Sequence, residues 1–84
     1  MNMNSTFNIA LEAMPAGMPA RIQEITAAPT DRDRLEVLGL CEGRIVEVVR
    51  SGDPMIVRLL GTRIGLAAAL ARTIRVEAEP GVRR

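Results

Sequence analysis

The chain has 84 residues, 48% of them hydrophobic and 25% charged, which is a globular composition with room for one small domain. Its 11 basic residues are all arginines and are offset by 10 acids, so at a net charge of +1 it lacks the basic excess of a nucleic-acid module, and no nucleic-acid partner is expected. A single cysteine, Cys41, excludes an internal disulfide framework.

Residues 1–8, "MNMNSTFN", show no periodicity and read as a flexible N-terminal tail. The ordered domain is expected over 9–78. Ile9, Leu11 and Met14 suggest a short turn that Pro15, Gly17 and Pro19 bring to an end. "RIQEI" reads as a first strand with Ile22 inward; Ile25, three residues on, breaks the alternation and predicts a bulge or bend. "PTDRDRLEVLG" carries the strongest helix pattern. Thr30 reads as its N-cap with Asp33 three residues on, and Asp31 and Asp33 favour the positive end of the helix dipole. Leu35 and Leu38 share one face, Arg32 and Glu36 form a solvated pair, and Gly39 can close the helix in the left-handed conformation.

"RIVEVVR" (44–50) and "MIVRLL" (55–60) read as strands joined by the turn "SGDP". Gly61 and Thr62 turn the chain into "RIGL", and "AAALART" is a helix of one or two turns. "IRVEAE" alternates, with Ile74 and Val76 inward, and Pro80 and Gly81 release a C-terminal tail over 79–84. Five short strands with a helix inserted after the first fit a mainly β fold, a small closed or nearly closed barrel, because closure removes exposed edges.

The chemistry of catalysis is missing. The chain has no histidine, lysine or tyrosine, and no imidazole to activate Cys41, so an enzyme is not expected. Softer metals want imidazoles or several thiolates, and Asp31, Asp33 and Glu36 are explained by the start of the helix, so no metal site or cofactor is expected either. No phosphate-binding loop pattern occurs, and without Trp or Tyr there is no aromatic groove for polyproline. Residues 1–20 carry no Lys or Arg, and the longest apolar run, "IGLAAALA", falls far short of the ~20 residues that span a bilayer; a cytoplasmic protein without membrane insertion is expected.

One feature exceeds what a core requires. If Val46, Val48, Val57 and Leu59 face inward, then Ile45, Val49, Ile56 and Leu60 face outward, punctuated by Glu47 and Arg58. That face is either a contact surface or is covered by the chain's own tails and helices.

Taken together, "LEAMPAGMPARIQEI", "RLEVLGLCEGRIVEV" and "GDPMIVRLLGTRIGLAAALARTIRV" resemble the FeoA family, small SH3-like proteins of bacterial ferrous-iron uptake. The resemblance runs from about Leu11 to Val76 and rests most on Arg34–Leu35, Leu38–Gly39–Leu40, Gly43 and Gly52–Asp53–Pro54, with Ile64, Leu66, Ala71, Ile74 and Val76 at the family's spacing. Two positions depart from it: Glu42 stands where a proline is usual and Ala67 where an arginine is usual. The resemblance implies an SH3-like barrel and a non-enzymatic accessory protein acting on a FeoB-type membrane iron transporter with a cytosolic GTPase domain. The same domain type occurs at the C-terminus of metal-dependent repressors, a role that fits poorly without DNA-binding helices ahead of it. On this reading Leu38, Leu40 and Cys41, at an exposed helix end and the loop after it, contact the partner, with Arg34 orienting them. Two other readings remain open: a homo-oligomeric adaptor associating through Ile45, Val49, Ile56 and Leu60, and an RNA-contacting barrel using Arg44, Arg50, Arg58 and Arg63.

Overall fold

The structure, a computed structural model, describes residues 8–79. Most of the tails expected at 1–8 and 79–84 lies outside the described residues. Asn8 and Glu79 do not: Asn8 opens a strand, and the Glu79 amide donates to the Pro19 carbonyl at 3.0 Å.

The chain runs through β1 (Asn8–Ala10), a 3-10 turn (Leu11–Ala13), β2 (Pro19–Ile25), α1 (Pro29–Val37), β3 (Ile45–Arg50), β4 (Met55–Leu59), β5 (Thr62–Leu66), α2 (Ala68–Ala71) and β6 (Ile74–Ala78). The six strands form one antiparallel sheet in the order β1-β6-β2-β3-β4-β5. Inward side chains of β2 through β6 meet in a single apolar cluster, so the sheet rolls round its own inner face. This is the mainly β, SH3-like barrel expected, with two corrections. There are six strands rather than five, and α1 follows the second strand rather than the first. The additional strand, β1, is three residues long, too short for an alternating pattern to show, and Arg75 holds it by donating to Asn8 Oδ1 at 3.0 Å and to the Asn8 carbonyl at 2.8 Å. Among the described residues the two ends of the sheet, β1 and β5, are not paired, so the barrel is rolled but not closed by a ladder.

Alternation decides the strands. Val46 and Val48 on β3, and Met55, Val57 and Leu59 on β4, are buried, with their neighbours turned outward. The uneven spacing in β2 is a register shift against β6 between Ile22 and Glu24, which lets Ile22 and Ile25 both reach the core.

The helix start differs from expectation. Ala28, not Thr30, is the N-cap, in extended geometry, and no side chain caps the helix. Pro29 is the reason: its fixed φ suits the first helical position, and lacking an N–H it leaves one fewer amide to cap. Nor does Arg32 pair with Glu36. Its guanidinium donates to the Ile25 carbonyl at 2.6 Å and to Glu42 Oε2 at 3.1 Å, tying α1 to the end of β2 and to the loop before β3.

Candidate docking surfaces

The end of α1 is a Schellman closure. Gly39, at φ 94, sends its amide to the Glu36 carbonyl (2.9 Å), and the Leu40 amide reaches back to the Leu35 carbonyl (2.8 Å). That closure carries a hydrophobic contact between the residues it joins, and both Leu35 and Leu40 are fully buried. Leu40 therefore belongs to the core and not to an exposed contact surface, which corrects its sequence assignment. Cys41, next in the loop, is a half-buried free thiol. Leu38 lies where expected, on the surface and 45% exposed, and Arg34 projects into solvent one turn before it, 4.0 Å from Asp31.

Sequence reasoning missed Val37. It is 86% exposed, beside Leu38, and together with Thr30, Asp33 and Arg34 it lines a shallow apolar depression on the outer side of α1. The signal was present: a β-branched apolar residue two positions after the inward Leu35 stands away from the helix's buried side.

The outer face of β3 and β4 is the second surface. Ile45 and Leu60 are exposed, Val49 and Ile56 half-buried, in the outward orientation expected of all four. Glu47 and Arg58 are directly opposed in the ladder and joined at 2.9 Å (Oε1 to Nη1). A groove runs beside this pair, lined by Met18, Pro19, Ile45, Leu60 and Gly61, with Glu79 at its rim. Val49 and Ile56 lie outside it.

Elsewhere arginines are engaged with acids. Arg72 grips Glu12 through two hydrogen bonds of 3.0 and 2.8 Å, and Arg21 holds Glu79 at 3.1 and 3.3 Å. The Arg72 bonds hold the Glu12 carboxyl below the usual carboxylate range, and the Glu42 carboxyl is lowered by its own backbone N–H and then by Arg32. Among the proposed RNA-contacting arginines, Arg58 is committed to Glu47, while Arg44, Arg50 and Arg63 are exposed. Asp53, in the turn between β3 and β4, accepts the Ala68 amide at 3.0 Å and so fixes the start of α2. Among the described residues no three of His, Cys, Asp or Glu gather as metal ligands would, and no helix is long and apolar enough to cross a membrane.

A model of the FeoA domain matches residues 9–78. Among solved structures, the chain is similar to the crystal structure of an iron uptake regulatory protein, FeoA, with 24% identity and a TM-score of 0.81 over 86% of this chain and 99% of that one. It is similar to the solution structure of the FeoA protein from Chlorobium tepidum, with 30% identity and a TM-score of 0.78 over 90% of this chain and 85% of that one. The crystal structure of T. acidophilum IdeR matches with a TM-score of 0.80 but 20% identity, over 86% of this chain and 34% of that one, a likeness of fold alone. A search of curated proteins finds no match.

Proposed function

The chain belongs to the FeoA family, small accessory domains of ferrous-iron transport, and from that premise we propose that it docks on the cytosolic part of a FeoB-type membrane iron transporter and modulates its activity. On this reading it is cytoplasmic, performs no catalysis of its own and acts by binding. The observation that carries the reading is the end of α1, where Val37 is 86% and Leu38 45% exposed side by side. Leaving two adjacent branched apolar side chains in water forgoes roughly 1.5–3 kcal/mol each, a gain that a partner surface recovers. Arg34, exposed one turn earlier, supplies a charge that sets orientation more than affinity. Leu40 contributes from beneath, by fixing where the helix ends and so where Leu38 stands.

The test is binding of the full chain to the transporter's purified cytosolic portion, by calorimetry, for wild type and for Val37→Gln/Leu38→Gln. The double variant should fold normally and bind at least roughly tenfold more weakly, since burying either side chain is worth a factor of that order. Undiminished binding removes α1 from the interface.

A further inference from the structure

Leu60 occupies a position that the fold of a single chain does not explain. With Gly61 it forms the two-residue turn between β4 and β5, and the two have φ angles of 52 and 82. Consecutive positive φ angles are the type I′ pattern, whose first position favours asparagine, aspartate or glycine because other side chains crowd the backbone there. Leu60 is thus in a disfavoured backbone region while its side chain is 79% exposed. Such an outlier is a pointer to function.

Around it the outer face carries a cross-strand charge pair. Glu47 on β3 directly opposes Arg58 on β4, and Arg58 in turn opposes Arg63 on β5. Glu79, which follows β6 and also lines the groove, is held by Arg21 of β2 at 3.1 Å. The two central strands therefore present one acid, on β3, facing one arginine, on β4. Ile45 and Leu60, two residues further along the same ladder, close its end with two exposed apolar side chains.

We propose that this face pairs with the same face of a second copy of the chain, with Leu60 as the anchoring side chain. A two-fold axis running along the strands between β3 and β4 lays β3 of each copy over β4 of the other. That places Leu60 of each copy against Ile45 of the other, and Glu47 over Arg58. Every contact is made twice, as an isologous interface requires. The arrangement satisfies the exposed leucine, its apolar neighbour and the Glu47–Arg58 pair together, and it shares no residue with the end of α1. The patch is small, so the dimer is weak, with a dissociation constant between about 10 µM and 1 mM.

Sedimentation velocity on the full chain, from about 20 µM to 1 mM, spans that range. The mass should rise with concentration from one chain toward two. Leu60→Asn places the favoured residue in the turn, so it should keep or raise the thermal midpoint in dilute solution and remain a single chain throughout. Glu47→Arg and Arg58→Glu should each stay monomeric alone, because like charges then meet across the axis, whereas an equimolar mixture of the two should form a heterodimer. A wild-type chain that stays monomeric at about 1 mM, a Leu60→Asn variant that associates as wild type does, or a charge-swapped mixture that fails to pair overturns the proposal.

Discussion

The Leu40 amide donates to the Leu35 carbonyl at 2.8 Å across Gly39, and the two side chains this bond joins are both fully buried. Core and proposed docking surface therefore meet within a few residues: Leu35 and Leu40 turn inward, while Val37 and Leu38 between them remain exposed. Leu40→Ala should cost about 2–5 kcal/mol, through lost burial and the cavity left behind. That is a large share of the ~5–10 kcal/mol expected of so small a domain. A urea midpoint lowered by that amount is the expected outcome, and an unchanged one would place Leu40 outside the core.

Gly39 is required twice over. Its φ of 94 disfavours any side chain, and a Cβ built there would lie 3.0 Å from Leu59 Cδ2. Gly39→Ala should cost about 1–2 kcal/mol, and Gly39→Val more, since a branched side chain has less freedom to avoid the contact. Equilibrium denaturation of both variants checks the order. Equal midpoints for wild type and Gly39→Val would mean that the helix does not close at this residue.

Stability should fall in acid. The folded-state pKa values of Glu12 and Glu42 lie below the usual 4.5, lowered first by the Arg72 hydrogen bond and by Glu42's own backbone N–H respectively. A lowered pKa means that the folded state favours the charged form, so each carboxylate contributes to stability above its unfolded pKa. That contribution is lost as pH falls below about 4.5 and through the lower folded value. With no histidine in the chain, the denaturation midpoint should be nearly flat between roughly pH 5 and 7 and decline below. Glu12→Gln should reduce the decline; a midpoint insensitive to pH down to about 3 contradicts the assignment.

Ferrous iron should bind the isolated chain weakly at best. There is no imidazole, there is one half-buried thiol, and Glu12, Glu42, Glu47 and Glu79 are each held by an arginine that a metal would have to displace. Anaerobic equilibrium dialysis near neutral pH should find no stoichiometric site tighter than roughly 100 µM. A low-micromolar site would mean that carboxylates assemble around the ion in a way the arginine pairs do not suggest.

Much of this architecture is legible in the sequence because its causes are local. Alternation in 44–50 and 55–60 assigns the inward side chains of β3 and β4, the uneven spacing of Ile22 and Ile25 marks the register shift, and Gly39 marks the helix end. What was hidden depends on partners distant in sequence or on competing local rules. β1 exists because β6 pairs with it and Arg75 grips Asn8, sixty-seven residues away in sequence. Pro29 displaced Thr30 from the cap, and the Schellman contact drew Leu40 inward from a loop that read as exposed. At the surface, the sequence pattern marks Leu38 and the outward set on β3 and β4, whereas Val37 belongs to no apolar stripe that would mark it.

Calorimetry of wild type against Val37→Gln/Leu38→Gln decides whether the chain docks through the end of α1. The double variant should match wild type in thermal midpoint, since both side chains are already in water, yet bind the transporter's cytosolic portion at least roughly tenfold more weakly. A folded variant that binds as tightly as wild type would rule out docking through this helix end.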